Sequence, residues 1–430
     1  MKKNRFLFCI LALCMLLPAC GREKTSQQTK AVLTEAVLET TMPTVERKVI
    51  TAVVARHSEN TQQWWTSFEQ AYEEENPEFD LEVTCVSWHD IQGVIRDRIA
   101  AGNIPDLVNT DSFLSYQQQN LLLPAGNWVS PETYEKIYPA LHRRAMADGK
   151  VWGVPDYVSA RALYYNADIL EAAGVTPPTT WRELLTACQT LRNYDYDLIP
   201  WGVDMTTDEG YATFAYYVWN NGSDFTDESG NWILDDPKTR EAVEFITGMV
   251  SSRLTNSDPT DQTRYDCQDL FGQGKIAMMI APSSLPAYCA ADGNVVNYGI
   301  APLPANGSNP SVSTATGNFL LCFAREGRSE EELAAITALV DAFYEDTTYS
   351  QWVQMEGFLP ATATANALLG VNDPHMAVWD QIMQSLKFYP SHRGEWGDVK
   401  DGAVEVLQYT LWEGNPWLLL SKFQKNIAGG

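Results

Sequence analysis

Between residues 49 and 108 the chain alternates two kinds of apolar pattern, and that alternation narrows the folds open to it. Residues 49–55 form an unbroken, largely β-branched run, as a strand buried on both faces requires. Trp64, Trp65, Phe68, Ala71 and Tyr72 then recur at helical spacing up to Asn76-Pro77, where a helix must stop. Residues 81–86 predict a second strand, Ile91, Val94, Ile95 and Ile99 a second helix, and residues 104–108 a third strand. Strand, helix, strand, helix, strand with short connections marks a parallel sheet covered by helices, so the fold class is α/β. Ligands of such sheets sit beyond the carboxyl ends of the strands. The segments there read Arg56-His57-Ser58-Glu59-Asn60, Ser87-Trp88-His89-Asp90 and Asn109-Thr110-Asp111-Ser112, so a polar cleft is expected at that edge.

Further along, Thr180-Trp181-Arg182-Glu183 and Ser329 to Glu332 have capping-box spacing, each followed by an apolar helical face. Asp227 to Asn231 reads as a turn between short strands, and Asp235-Asp236-Pro237 opens a helix with proline at its first position. No internal repeat is visible. Of the 430 residues 45% are hydrophobic and 20% charged, which supports a large core and excludes disorder as the main state. Lys and Arg number 30 against 55 Asp and Glu, a net charge of −25. Such a surface repels phosphate backbones, so no nucleic-acid partner is expected.

The N-terminus carries an address. Lys2, Lys3 and Arg5 precede an apolar stretch at 6–17 that is too short to span ~30 Å of hydrocarbon and fits a cleaved export signal. Leu17-Pro18-Ala19-Cys20 resembles the lipobox of bacterial lipoproteins. That resemblance implies a signal peptide at 1–19, lipidation of Cys20 and an extracytoplasmic protein anchored to the cell membrane. Residues 20–48 are rich in Thr, Glu and Gln without apolar period and read as a flexible tether with a reach of roughly 30 Å. No later segment is apolar for long enough to cross a membrane. Of eight cysteines, five (85, 188, 267, 289 and 322) lie beyond Cys20, with no Cys-x-x-Cys pair. A full disulfide framework is therefore excluded, while a single bridge such as Cys267 with Cys289 stays open.

Motifs for catalysis or metals fail one by one. Gly272-Gln273-Gly274-Lys275 lacks both the spacer and the Ser or Thr of a phosphate-binding loop. The segment at 227–236 puts Phe225 where a calcium loop needs its first carboxylate. The five histidines are scattered, and no Gly-x-Ser-x-Gly elbow occurs. No catalytic residue, metal or cofactor is expected. A carboxylate pair for glycoside cleavage stays open, as in any acidic chain.

Several phrases, taken in order, resemble the extracellular solute-binding proteins that deliver sugars to ABC importers, the family that includes maltose-binding protein. The most specific runs Gly149-Lys150-Val151-Trp152-Gly153-Val154-Pro155, then Ala162 to Asp168, Ala173-Gly174 and the Pro-Pro-Thr-Thr-Trp-Arg-Glu-Leu segment at 177–184. The second is Leu270-Phe271-Gly272-Gln273-Gly274-Lys275-Ile276-Ala277-Met278-Met279-Ile280. Weaker echoes are Pro105 to Val108, Tyr298 to Pro304 and Gly357 to Pro360. The resemblance implies a two-lobe periplasmic-binding-protein-like fold with a hinge and a central ligand cleft. It puts residues 49–155 and 285–343 in one lobe and residues 156–284 and 344–430 in the other. Chain crossings are then expected near 155–160, 283–288 and 343–347. The implied partners are a small solute, the membrane permease and no cofactor, with the chain acting as a monomer.

Carried over residue by residue, the resemblance matches Ser58, Glu59, Asn60, Thr110 and Asp111 to ligand loops of the first lobe. Ser159 and Arg161 fall just past the first hinge segment. Tyr211 and Trp396 resemble stacking aromatics of the second lobe. Where many sugar binders carry Gly-x-Trp after the second phrase, this chain reads Ala281-Pro282-Ser283-Ser284, so that platform is missing. A pyranose ring wants a flat aromatic surface with acceptors at its rim. Trp88, Tyr211 and Trp396 are candidates for the surface, and Glu59, Asp111, Asp156 and Asp204 for the acceptors. A carbohydrate, an oligosaccharide above all, is the expected solute. The same aromatic and acidic set suits a polyamine or quaternary amine, and a surface sensor feeding a signalling partner would use the same cleft.

Overall fold

The computed structural model describes residues 47–428 apart from 59, 89 and 392. The signal peptide, Cys20, the tether up to residue 46 and Glu59 lie outside the described residues. Among the described residues no helix is long and apolar enough to cross a membrane.

The chain opens with β1 (Lys48–Arg56), α1 (Thr61–Glu75), β2 (Phe79–Ser87), α2 (Ile91–Ala100) and β3 (Leu107–Thr110). Parallel pairing runs the whole length of β1, from Lys48 opposite Phe79 to Arg56 opposite Ser87, and β3 joins the other side of β1. Thr61, Trp65, Phe68 and Tyr72 form the buried stripe of α1. The third strand starts later than the apolar pattern suggests, because Asp106 turns its carboxylate into the sheet edge to accept the Thr51 N–H at 2.9 Å. After β4 (Val154–Pro155) the chain leaves this sheet and enters a second with β5 (Ser159–Asn166).

The second sheet grows by β6 (Ile199–Gly202), β7 (Ile276–Pro282), β8 (Tyr298–Ala301) and β9 (Ser313–Thr316). Its order is β11-β9-β5-β7-β6, with β8 also pairing to β5 and β11 being Leu386–Lys387. β10 (Phe319–Cys322) returns to the first sheet, whose order is β2-β1-β3-β10-β4. Two α/β lobes result, joined by crossing segments. Capping boxes start the helices Trp181–Tyr194 and Glu330–Phe343 where the sequence places them, and Pro237 opens the helix Pro237–Ser251.

Two crossings depart from expectation. Residues 285–316 belong to the second sheet, not the first: β8 and β9 occupy the flank of β5 opposite β7. Ser283, expected at a crossing, instead donates its N–H to Ala160 O at 3.1 Å within the second lobe. The second crossing is therefore at 317–318, between β9 and β10. The helix Asp346–Glu356, expected in the second lobe, packs on the first, with Trp352 against Trp64 and Trp65 at 4.8 and 5.8 Å between ring centroids. Burying those indoles holds the chain on the first lobe until after Gly357. A disulfide between Cys267 and Cys289 is also absent. All five described cysteines are free thiols, four of them buried.

Candidate functional site

An open cleft of about 1180 Å³ lies where the two sheets face each other. The carboxyl end of β3 delivers Asp111 to one wall, beside the short 3-10 turn that carries Arg143 and Arg144. Lys387, Phe388 and Tyr389, which continue from β11, line the opposite wall with Asp224. Tyr389 is held by two indoles: its ring stacks on Trp396 at 5.4 Å and on Trp219 at 5.5 Å. Lys387 Nζ lies 2.7 Å from Asp224 Oδ2, and Trp219 Nε1 donates to Asp224 Oδ1 at 2.8 Å. This wall thus offers a held aromatic face with charged groups at its rim.

Arg144 reaches in from the first lobe. Its guanidinium lies 4.5 Å from the centroid of Phe319 and 5.6 Å from that of Phe388, so it touches aromatic rings of both lobes. Nη1 donates to the carbonyl of Gly317, in the second crossing. Burial lowers its pKa to about 10, while Asp111 and Tyr157 partly offset the loss. It remains a cation near neutral pH. Behind the second wall, Arg264 grips Glu209 with two hydrogen bonds of 2.7 and 2.8 Å. Arg161 Nη2 stands 3.9 Å from the same carboxylate, and its Nε donates to the Tyr216 hydroxyl at 3.2 Å. At the carboxyl ends of β1 and β2, His57 packs edge-on against Tyr157 and Phe358 at 4.9 and 5.3 Å. Burial pushes that imidazole down to about 4, so it is neutral at physiological pH.

The described residues contain no group of His, Cys, Asp or Glu arranged to hold a metal ion. A cleft closed by walls from two lobes, with aromatic faces and a charged rim, is a place to hold a small molecule. Residues 68–378 match the family model of the bacterial extracellular solute-binding proteins. The chain belongs to that family. A binding protein of Brucella abortus is 27% identical over 373 residues, covering 84% of this chain and 88% of its own length. The melibiose/raffinose/stachyose-binding protein of Bacillus subtilis is 22% identical over 323 residues, 70% of this chain and 68% of its own. Among solved structures, the cyclic alpha-maltosyl-1,6-maltose binding protein of Arthrobacter globiformis superposes with a TM-score of 0.76 at 18% identity, covering 89% of this chain and 98% of that one. A sugar-binding protein of Xanthomonas citri gives 0.75 at 16% identity over 89% and 97%. These likenesses establish the two-lobe fold.

Within this solute-binding fold the residues singled out from sequence separate. Asp111 lines the cleft. Tyr211 is half-buried behind it, edge-on to Tyr389 at 5.3 Å and to Trp396 at 6.1 Å. Trp88 stays 44% exposed at the end of β2. Ser58 and Asn60 serve the start of α1: Ser58 Oγ accepts the Asn60 N–H at 3.1 Å. Thr110 is fully buried, accepting from Gln92 Nε2 at 2.5 Å. Ser159 sits in register with Thr316, where β5 meets β9.

Four assignments need correction. Trp396, expected to stack on the solute, is only 9% exposed and packs edge-on against Phe225 at 5.4 Å. It supports Tyr389, which takes the cleft face. Asp156 is closed off in the hinge, where its carboxylate accepts from Trp352 Nε1 and Asn109 Nδ2. Asp204 is spent inside the second lobe, Oδ1 on Thr206 N at 2.7 Å and Oδ2 on Arg264 N at 2.8 Å. Arg161 likewise faces Glu209 and Tyr216 rather than open cleft. Arg144, Phe388 and Tyr389 also line the cleft and are not among the residues singled out from sequence. A dibasic pair in an acidic chain and an aromatic pair before Pro390 were the available signals.

Proposed function

We propose that this protein is an exported, lipid-anchored receptor that captures a carbohydrate between its lobes and hands it, as a monomer, to the permease of an ABC importer. The observation that carries the reading is the cleft itself. About 1180 Å³ exceeds what one monosaccharide fills, and Tyr389 and Phe388 face it from one lobe while Asp111 and Arg144 face it from the other. A ring stacked on the second wall and hydrogen-bonded by the first favours the closed state, because only closure lets both lobes touch it. No bond is made or broken. The names carried by the Bacillus and Arthrobacter relatives support a saccharide ligand. Cys20 is the proposed anchor, through the lipobox-like run before it. A cationic solute fits less well, since Arg143, Arg144 and Lys387 all line the cleft.

The test is a thermal-shift screen of the purified chain against mono- and oligosaccharides, polyamines and quaternary amines. A ligand at ~100 times its dissociation constant adds about 2.7 kcal/mol of apparent stability. A midpoint rise confined to saccharides is expected. A rise confined to cations, or none with any saccharide, would remove the carbohydrate assignment.

A further inference from the structure

Arg144 is placed as no purely structural arginine needs to be. It lies on the cleft wall with its guanidinium over the ring of Phe319 of the first lobe and within 5.6 Å of the ring centre of Phe388 of the second. Among the described residues its single hydrogen bond runs from Nη1 to the Gly317 carbonyl. The Nε and Nη2 edge therefore has two parallel N–H donors without a protein acceptor there. Asp111 shares the wall and acts on Arg144 through its charge, but among the described residues the two form no ion pair. Across the cleft, Lys387 is already matched by Asp224 at 2.7 Å. Counting what is unmatched, Arg143 and Arg144 face Asp111 alone, so this cleft carries a cationic excess in a chain of net charge −25. Arg144 itself is half-buried, which strengthens any charge interaction it makes. Burial without a full counter-charge also costs the guanidinium part of its usual basicity.

We propose that the solute is an acidic saccharide, whose oxyanion is taken by the Nε–Nη2 edge of Arg144 while its ring rests on Phe388 and Tyr389. The inference rests on the carbohydrate reading above and narrows its substrate class. A planar fork of two N–H groups matches a carboxylate or phosphate oxygen pair, and the aromatic rings beside the guanidinium restrict its freedom. A sugar carrying that oxyanion on its ring, as a uronate does, presents an apolar C–H face and an anion in adjacent positions. The cleft presents the two complements in adjacent positions as well. Binding would also join the lobes, the anion held by Arg144 of the first and the ring by Phe388 and Tyr389 of the second.

The experiment is calorimetric titration of the purified full chain with neutral oligosaccharides, uronate oligosaccharides of matched length and sugar phosphates, at low and high salt. The expected result is at least about tenfold tighter binding of an acidic form than of its neutral counterpart, weakening with salt. The Arg144→Gln and Arg144→Lys variants should lose most of that preference, with lysine losing less because it keeps the charge but not the fork. Affinity for the neutral counterpart, where measurable, reports whether the cleft of each variant is intact. Tighter binding of uronates identifies the oxyanion as a carboxylate, and of sugar phosphates as a phosphate. Neutral forms binding as tightly as acidic ones would overturn the inference and leave the carbohydrate reading standing. An acidic preference unchanged in Arg144→Gln would overturn the assignment to Arg144. No binding of any saccharide would overturn both.

Discussion

The indole N–H of Trp352 donates to Asp156 Oδ1 at 2.9 Å across 196 residues of sequence. Asp156 belongs to the first crossing, and its backbone N–H reaches Asn318 O of the second at 3.0 Å. Its own carbonyl accepts the Tyr349 hydroxyl at 2.7 Å, from the helix that precedes the third. One residue thus ties the first crossing to the second and to the helix that leads into the third. Burial drives its pKa up to about 7, although the hydrogen bonds from Trp352 and Asn109 favour the charged form. The fold therefore binds this proton more tightly than the unfolded chain, where an aspartate titrates near 3.8.

It follows that the stability Asp156 contributes is largest below about pH 4 and declines as pH rises towards 7, at up to ~1.4 kcal/mol per pH unit. Asp156→Asn removes the titration and sets an amide donor against Trp352 or Asn109, a local cost of about 1–3 kcal/mol. Melting curves of both proteins between pH 5 and 8 check this. The wild-type advantage should shrink as pH rises. A constant gap would show that the carboxyl does not titrate in that window.

Tyr389 and Trp396 should separate binding from folding. Trp396 is wedged among Phe225, Tyr211 and Tyr389, so Trp396→Ala should cost about 3–5 kcal/mol of stability. Tyr389→Leu keeps apolar volume but removes the flat face on the cleft. Its solute affinity should fall about tenfold or more, with a smaller change in stability. Denaturant unfolding and calorimetry on both variants decide it. Equal affinity in Tyr389→Leu would move the stacking platform elsewhere.

Glu209 holds two cations inside the second lobe. Burial opposes its charge, but the Arg264 hydrogen bonds and the nearby Arg161 outweigh that and keep its pKa below the ordinary glutamate value. Its contribution is therefore present above the ordinary glutamate range and lost as pH falls through the lowered pKa. Glu209→Gln leaves two largely buried guanidiniums without a counter-charge and should destabilise by about 3–5 kcal/mol at neutral pH. The deficit should narrow in acid, where the wild type also loses the charge. A denaturation series from pH 3 to 7 measures it.

How much of this was legible beforehand depended on how local each pattern was. The strand–helix alternation around β1 was readable because Val53, Val54 and Ala55 are buried from both faces, and the helical stripe of Trp65, Phe68 and Tyr72 has a single period. The second crossing was not, because β8 and β9 are short and their pairing with β5 is decided about 150 residues away. The position of Asp111 on the cleft wall was readable, because the parallel topology carries it to a strand end. Asp156 and Asp204 turn inward instead, since a carboxylate facing solvent looks the same in sequence as one spent on indole and amide donors or on backbone N–H groups. Trp396 was misread in the same way: indole and core are natural partners, and its neighbour seven positions upstream took the open face.

The last expectation concerns the second crossing, where Gly317 has no space for a side chain. A Cβ built there would lie 2.2 Å from the Tyr157 carbonyl oxygen, on the backbone of the first crossing. Backbone cannot rotate away as a long side chain can, so Gly317→Ala must push the two crossings apart. The same residue's carbonyl accepts from Arg144, so the shift would reach the cleft wall. The variant should lose about 1–3 kcal/mol of stability and bind its solute several-fold more weakly. Gly126→Ala, with nothing within 4 Å of its Cβ and an ordinary backbone angle, should change neither by more than ~0.5 kcal/mol. Thermal unfolding and titration of the pair test whether the crossings are held by this contact. An unperturbed Gly317→Ala protein would show that the hinge has slack at this point.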